Sequence, residues 1–79
     1  MSTIVGPKNE DTQRIFRESM IGLEGVPPHV PFQQPTVETV RRWGRKGIRG
    51  VRLEVARVGR RYITSVEAVE RFLIALQSA

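Results

Sequence analysis

Four prolines between Pro27 and Pro35 constrain this chain more than any other feature. Proline has no amide proton to donate and biases the preceding residue away from helical geometry, so no long helix or central strand can run through residues 24–35. The chain must therefore fold on both sides of a connection, with Val26, Val30 and Phe32 available to pin that connection to the body. At 79 residues there is enough chain for one hydrophobic core and not for two. Cysteine is absent, which excludes disulfides, iron–sulfur clusters and thiolate zinc sites and leaves stability to packing. The single histidine, His29, lies inside the proline connection and reads as a surface side chain. One imidazole builds neither a multi-histidine metal site nor a catalytic dyad. No apolar run approaches the ~18–20 residues of a membrane span, and no stretch reads as a signal peptide.

Charge is unevenly distributed. Residues 1–35 carry three basic and four acidic groups, a net −1, whereas residues 36–79 carry ten basic and four acidic, a net +6. Nine of those ten lie between Arg41 and Arg61. Such a block points to a polyanionic partner, of which nucleic acid is the commonest. Eleven of the 13 basic residues are arginine, whose planar fork suits phosphates and guanine edges. The competing explanation is arginine-rich codon usage on a solvated face.

Residues 1–8 show no periodicity and read as a flexible arm. From Asn9 the pattern is helical: Asn9 or Asp11 can cap the first turn, Ile15, Phe16, Met20 and Leu23 share a face, and Gly22 is the expected stop. A second helix opens at Thr36, a hydroxyl cap, with Val37, Val40, Trp43 and Gly44 as its buried stripe. Its other side carries Glu38, Thr39, Arg41, Arg42, Arg45 and Lys46. Gly47 is expected to end it in a left-handed cap, and Gly50 to allow a further change of direction. Over residues 51–64 the period shortens and β-branched residues are enriched, which predicts a β-hairpin turning near Val58–Arg61. Arg60 and Arg61 fall at its tip and Arg57 close by. A one-residue bulge would exchange Tyr62 and Ile63 between faces, so both orientations stand here. The last helix starts with a cap at Thr64 or Ser65 and places Val66, Val69, Phe72, Leu73 and Leu76 on one face. The order is helix, proline-rich loop, helix, hairpin, helix, an α+β class that is mainly α. Residues 9–79 form a single domain, with 9–35 as its N-terminal helix and loop and 36–79 as the remainder.

A cationic helix beside an arginine-tipped hairpin suits a two-point grip on a duplex, since a helix fits the major groove and a hairpin can reach phosphates or the adjacent minor groove. Thr36, Glu38, Thr39 and Arg42 are assigned nearest the bases, with Gln34 just ahead of the cap also in reach of a base edge. Arg41, Arg45 and Lys46 are better placed for phosphates. Glu38 has a simpler explanation as a helix-start charge, Trp43 as plain core, and Arg71 as a surface charge.

These residues support a resemblance. Thr36 to Gly47 with Arg42-Trp43, then Arg57-Val-Gly-Arg-Arg-Tyr62, then Ser65, Ala68 and Phe72-Leu73, resemble the excisionase-like branch of the MerR-type winged helix-turn-helix proteins over about residues 34–76. The resemblance implies a small winged helix-turn-helix fold. In it Thr36, Thr39, Arg41, Arg42, Arg45 and Lys46 belong to the recognition helix, Arg60 and Arg61 to the wing, and Trp43, Leu53, Phe72 and Leu73 to the core. The chain departs from the family upstream, where 13 residues separate Gly22 from Thr36 in place of a tight turn.

The expected function is sequence-specific binding of double-stranded DNA by an excisionase-like architectural factor that directs an integrase or recombinase. It would associate cooperatively on DNA in the cytoplasm of a bacterium or phage host, with no catalysis, cofactor or membrane contact. A small transcriptional regulator of the same fold, and a phage-type interaction module docking an acidic partner, are the alternatives. No histidine is placed to activate Ser19, Ser65 or Ser78, and neither paired carboxylates nor a phosphate loop is present.

Overall fold

The computed structural model describes residues 9–31 and 33–79. The expected arm over residues 1–8 and the pinning role of Phe32 fall outside the described residues. Among the described residues, three α-helices and a three-stranded antiparallel sheet make a small α+β fold. Helix α1 spans Asn9–Ile15, strand β1 Met20–Gly22, helix α2 Val37–Arg45, strand β2 Ala56–Val58, strand β3 Arg61–Ser65 and helix α3 Val66–Gln77.

The first helix is shorter than its pattern suggests. It ends at Ile15 rather than Gly22, closing on tight bonds from the Arg17 amide to the Arg14 carbonyl (3.1 Å) and from the Glu18 amide to the Ile15 carbonyl (3.0 Å). Met20, Ile21 and Gly22 instead pair with Ser65, Thr64 and Ile63. Strand pairing satisfies the backbone here, and Ser19 is fixed by its amide and hydroxyl donating to the Glu67 carboxylate at 3.0 and 3.2 Å. The expected common face therefore splits: Ile15 and Leu23 are buried from different elements, while Phe16 and Met20 are about half exposed (51% and 53%).

The proline connection forms two short 3-10 turns, Leu23–Gly25 and Pro27–His29, and buries Val26 and Val30. His29 is exposed. Helix α2 is capped by Thr36, whose Oγ1 accepts from the Thr39 amide at 3.2 Å. It stops at Gly47 (φ 79°), where a Cβ would collide with the Val51 carbonyl. Ile48 and Val51 then close a two-residue turn through reciprocal backbone bonds of 2.8 and 2.9 Å.

Strand β2 begins only at Ala56, not at 51. The preceding stretch runs beside α2 instead, with the Leu53 amide donating to the Trp43 carbonyl at 3.0 Å. The hairpin registers Ala56 with Ile63, Arg57 with Tyr62 and Val58 with Arg61, so its turn is Gly59-Arg60. For α3, Ser65 is the cap, accepting from the Ala68 amide at 2.9 Å. Thr64 instead donates to the Glu54 carbonyl at 2.6 Å.

The core lies between α2, α3 and the connection. Trp43 packs on Phe72 with ring centroids 5.0 Å apart, surrounded by Val40, Leu53, Val55 and Val69. Among the described residues no helix is long and apolar enough to cross a membrane.

Candidate functional site

The buried stripe of Val40 and Trp43 fixes the rotation of α2 and turns the charged side of that helix outward. Arg41 and Arg45, one turn apart, lie on the flank toward the hairpin. They line a cleft of about 290 Å³ with Arg60 and Tyr62 of the β2–β3 hairpin. Its floor is Leu23, Gly44 and Val55. The floor is tight: a Cβ on Gly44 would stand 3.0 Å from a Val55 methyl, which would have to give by a few tenths of an ångström to admit it.

Cations of α2 and the hairpin turn lack a counter-charge among the described residues. Among the described residues no carboxylate lies within ion-pairing distance of Arg42, Arg45, Lys46 or Arg60. Arg41 is held by Glu38 at 3.0 Å in an exposed pair one turn apart. Arg57 donates to the Gly59 carbonyl (3.0 Å) and lies 5.9 Å from the centre of the Tyr62 ring, bracing the hairpin turn.

The remaining sequence-derived site residues are distributed as follows. Gln34 and Arg42 are exposed and do not line the cleft. Thr36 and Thr39 share a 3.1 Å hydroxyl contact at the start of α2, which engages both in the cap. The Lys46 amide closes the last turn on the Arg42 carbonyl at 2.7 Å. Arg61 separates from Arg60. Strand alternation places it on the sheet face opposite Tyr62, where it pairs with Glu24 at 2.6 Å. That face also carries Phe16, Met20, Val58 and Ile63, which line a second, shallower groove with Arg61.

A second charged cluster was hidden from sequence reasoning. Arg71 bonds Glu18 at 2.7 and 3.0 Å and Glu54 at 2.8 and 3.0 Å, and Arg14 bonds Glu54 at 2.8 Å. Ser65 adds a 2.6 Å hydrogen bond to Glu18. Arg71 is thus a structural hub rather than a plain surface charge. Its hydrogen bonds hold the Glu18 carboxyl below the usual range. Burial alone would raise the Glu54 carboxyl, but the Arg71 and Arg14 guanidiniums together outweigh it and leave Glu54 lowered as well. The Glu67 carboxyl is lowered by its own amide and that of Ser19. The guanidiniums of Arg71 and Arg14 are raised, chiefly by the Glu54 hydrogen bond.

Tyr62, Leu23, Gly44 and Val55 are the cleft residues that sequence reasoning did not assign to the site. Tyr62 carries the one available signal, as an aromatic directly after two arginines.

The fold defines a small α+β protein with a cationic helix–hairpin cleft. The chain belongs to the family described as "Protein of unknown function (DUF1580)", whose pattern matches residues 30–77. The match takes in α2, the hairpin and α3, and leaves α1 and β1 outside. No curated protein and no solved structure matches.

Proposed function

We propose that this chain is a double-stranded DNA-binding protein of winged helix-turn-helix build, with α2 as recognition helix and the β2–β3 hairpin as wing. One observation carries the reading: Arg45 and Arg60, from two separate elements, face one cleft without a carboxylate partner among the described residues. Unpaired guanidiniums that converge from different elements repel one another, and a polyanion relieves that repulsion. Arg42 and Lys46 extend the same charge along the outer side of α2.

The resemblance of residues 34–76 to excisionase-like proteins supports the further step to an architectural factor that directs an integrase, bound to DNA in the cytoplasm. A domain this small covers modest area on a duplex, so several copies side by side would supply the affinity. Fluorescence anisotropy with labelled duplexes over a salt series tests the reading. If about six phosphates are neutralised, the log–log slope of affinity against salt lies near −5. Absence of duplex binding at low salt, with binding to an acidic protein instead, sinks it.

A further inference from the structure

We propose that the cleft between α2 and the wing is a shaped seat for one sugar–phosphate unit, its apolar floor taking the sugar and its guanidiniums the phosphate. The inference deepens the DNA-binding reading and rests on it, naming which part of the ligand occupies which part of the site. A cationic surface that merely attracts a duplex needs no floor. Here Leu23 and Val55, both almost wholly buried, line the same cleft as Arg41, Arg45 and Arg60 and supply its apolar part. The volume of about 290 Å³ sits at the lower limit of ordinary small-ligand sites, a size for one nucleotide unit rather than a longer stretch.

The rim completes the chemistry. Arg45 from α2 and Arg60 from the hairpin turn both line this cleft, and the planar fork of a guanidinium matches phosphate oxygens. Arg41 reaches the same cleft while leaning on Glu38, and both partners are well exposed. An exposed pair of this kind contributes little, so Arg41 can exchange the carboxylate for a phosphate at small cost. Tyr62 lines the same cleft and carries a hydroxyl donor, with the Arg57 guanidinium 5.9 Å from the centre of its ring. The sugar–phosphate unit could come from a duplex backbone or from a free nucleotide.

The test uses the full ¹⁵N-labelled chain, titrated separately with a short duplex and with thymidine 5′-monophosphate. Saturable movement of the Gly44, Val55 and Tyr62 amides with duplex alone supports the seat and assigns it to the polymer backbone. Movement with the mononucleotide but not with duplex supports the seat and overturns the DNA-binding reading. Movement with both supports the seat for either source. Movement confined to the outer side of α2 on adding duplex overturns the seat while DNA binding stands, and no movement with either ligand overturns both.

A steric variant separates shape from charge. Gly44→Ala alters no charge but crowds Val55, and should weaken duplex binding about tenfold, the scale of one charge-assisted hydrogen bond, with an unchanged salt slope. Arg45→Ala and Arg60→Ala should each flatten that slope by roughly 0.9. Gly44→Ala binding as tightly as the unmodified chain overturns the seat. If that variant does not fold, the titration of the unmodified chain decides alone.

Discussion

Two groups of arginines in this protein differ in company rather than in chemistry. Around Glu54, the guanidiniums of Arg14 and Arg71 are matched by carboxylates from other elements, joining α1, the segment before β2 and α3. On α2 and the β2–β3 hairpin, Arg42, Arg45 and Arg60 have no carboxylate partner among the described residues. Where charge is matched it holds elements together; where it is left unmatched on a surface it costs solubility nothing and is available to a ligand. The comparison predicts that variants of the first group change stability and leave intrinsic binding intact, whereas variants of the second do the reverse.

The largest effect should come from Arg71→Ala. It leaves Glu18 and Glu54, whose side chains are only 15% and 19% exposed, facing one another without their shared cation. Breaking a fully buried pair costs ~3–5 kcal/mol, and the partial exposure of Arg71 reduces this to about 2 kcal/mol. In a domain of this size that corresponds to a fall in Tm of roughly 10 °C. Duplex affinity measured at a temperature where the variant is folded should remain that of the unmodified chain. A large loss of binding by the folded variant would break the division between the groups.

Acid should dissect the same network. The Glu18 and Glu54 carboxyls are both lowered from their ordinary value of 4.5. Below that value the unfolded chain binds more protons than the folded one. The stabilisation is thus fully present above about pH 4.5 and is lost as pH falls through the folded-state values. Thermal melts at descending pH should show a fall in Tm over that window, and Glu54→Gln should make the fall shallower. Arg60→Ala should leave the profile unchanged, because its guanidinium has no carboxylate partner among the described residues.

On the binding side, Arg42→Ala and Arg60→Ala should diverge. Arg42 is on the outward strip of α2, and its loss should cost about 1–3 kcal/mol on the preferred sequence and narrow the gap to other sequences. Loss of Arg60 should weaken all duplexes alike and reduce the salt slope by roughly 0.9. Competition binding with scrambled duplexes separates the two outcomes.

What could be read from the sequence was what depends on near neighbours. The Thr36 cap, the burial of Val40 and Trp43 and the Gly47 stop are each set within a few residues and appear where their spacing puts them, while Val37 and Gly44 of the expected stripe are only half-buried. The hairpin turn at Gly59-Arg60 is local in the same sense. Strand β1 is not: residues 20–22 have a helical pattern and become a strand only because β3, distant in sequence, satisfies their backbone and Glu67 fixes Ser19 just before them. The Glu54 hub was hidden for the same reason, since nothing between Leu53 and Val55 announces that two distant arginines meet there. The cleft itself falls between these extremes. Its cations are evident from composition, but its floor depends on Gly44 meeting Val55 and on Leu23 arriving from the proline connection.

The smallest effect expected, and the sharpest use of the comparison, concerns Arg61. By sequence it is the twin of Arg60, and both would be expected to touch a duplex. In space the two part: Arg60 lines the cleft, whereas Arg61 lies across the sheet from Tyr62 and pairs with Glu24 at 2.6 Å. Both partners of that pair are well exposed, which places its contribution to stability at about 0–1 kcal/mol. Arg61 therefore belongs with the matched arginines despite its position at the tip. Arg61→Ala should change duplex affinity less than Arg60→Ala and leave the salt slope nearly intact, with at most a slight fall in Tm. If instead Arg61→Ala flattens the slope as much as Arg60→Ala does, the Glu24 pair opens on binding. The whole tip would then grip the duplex, and the line between matched and unmatched arginines would have to be drawn through α1 and α3 alone.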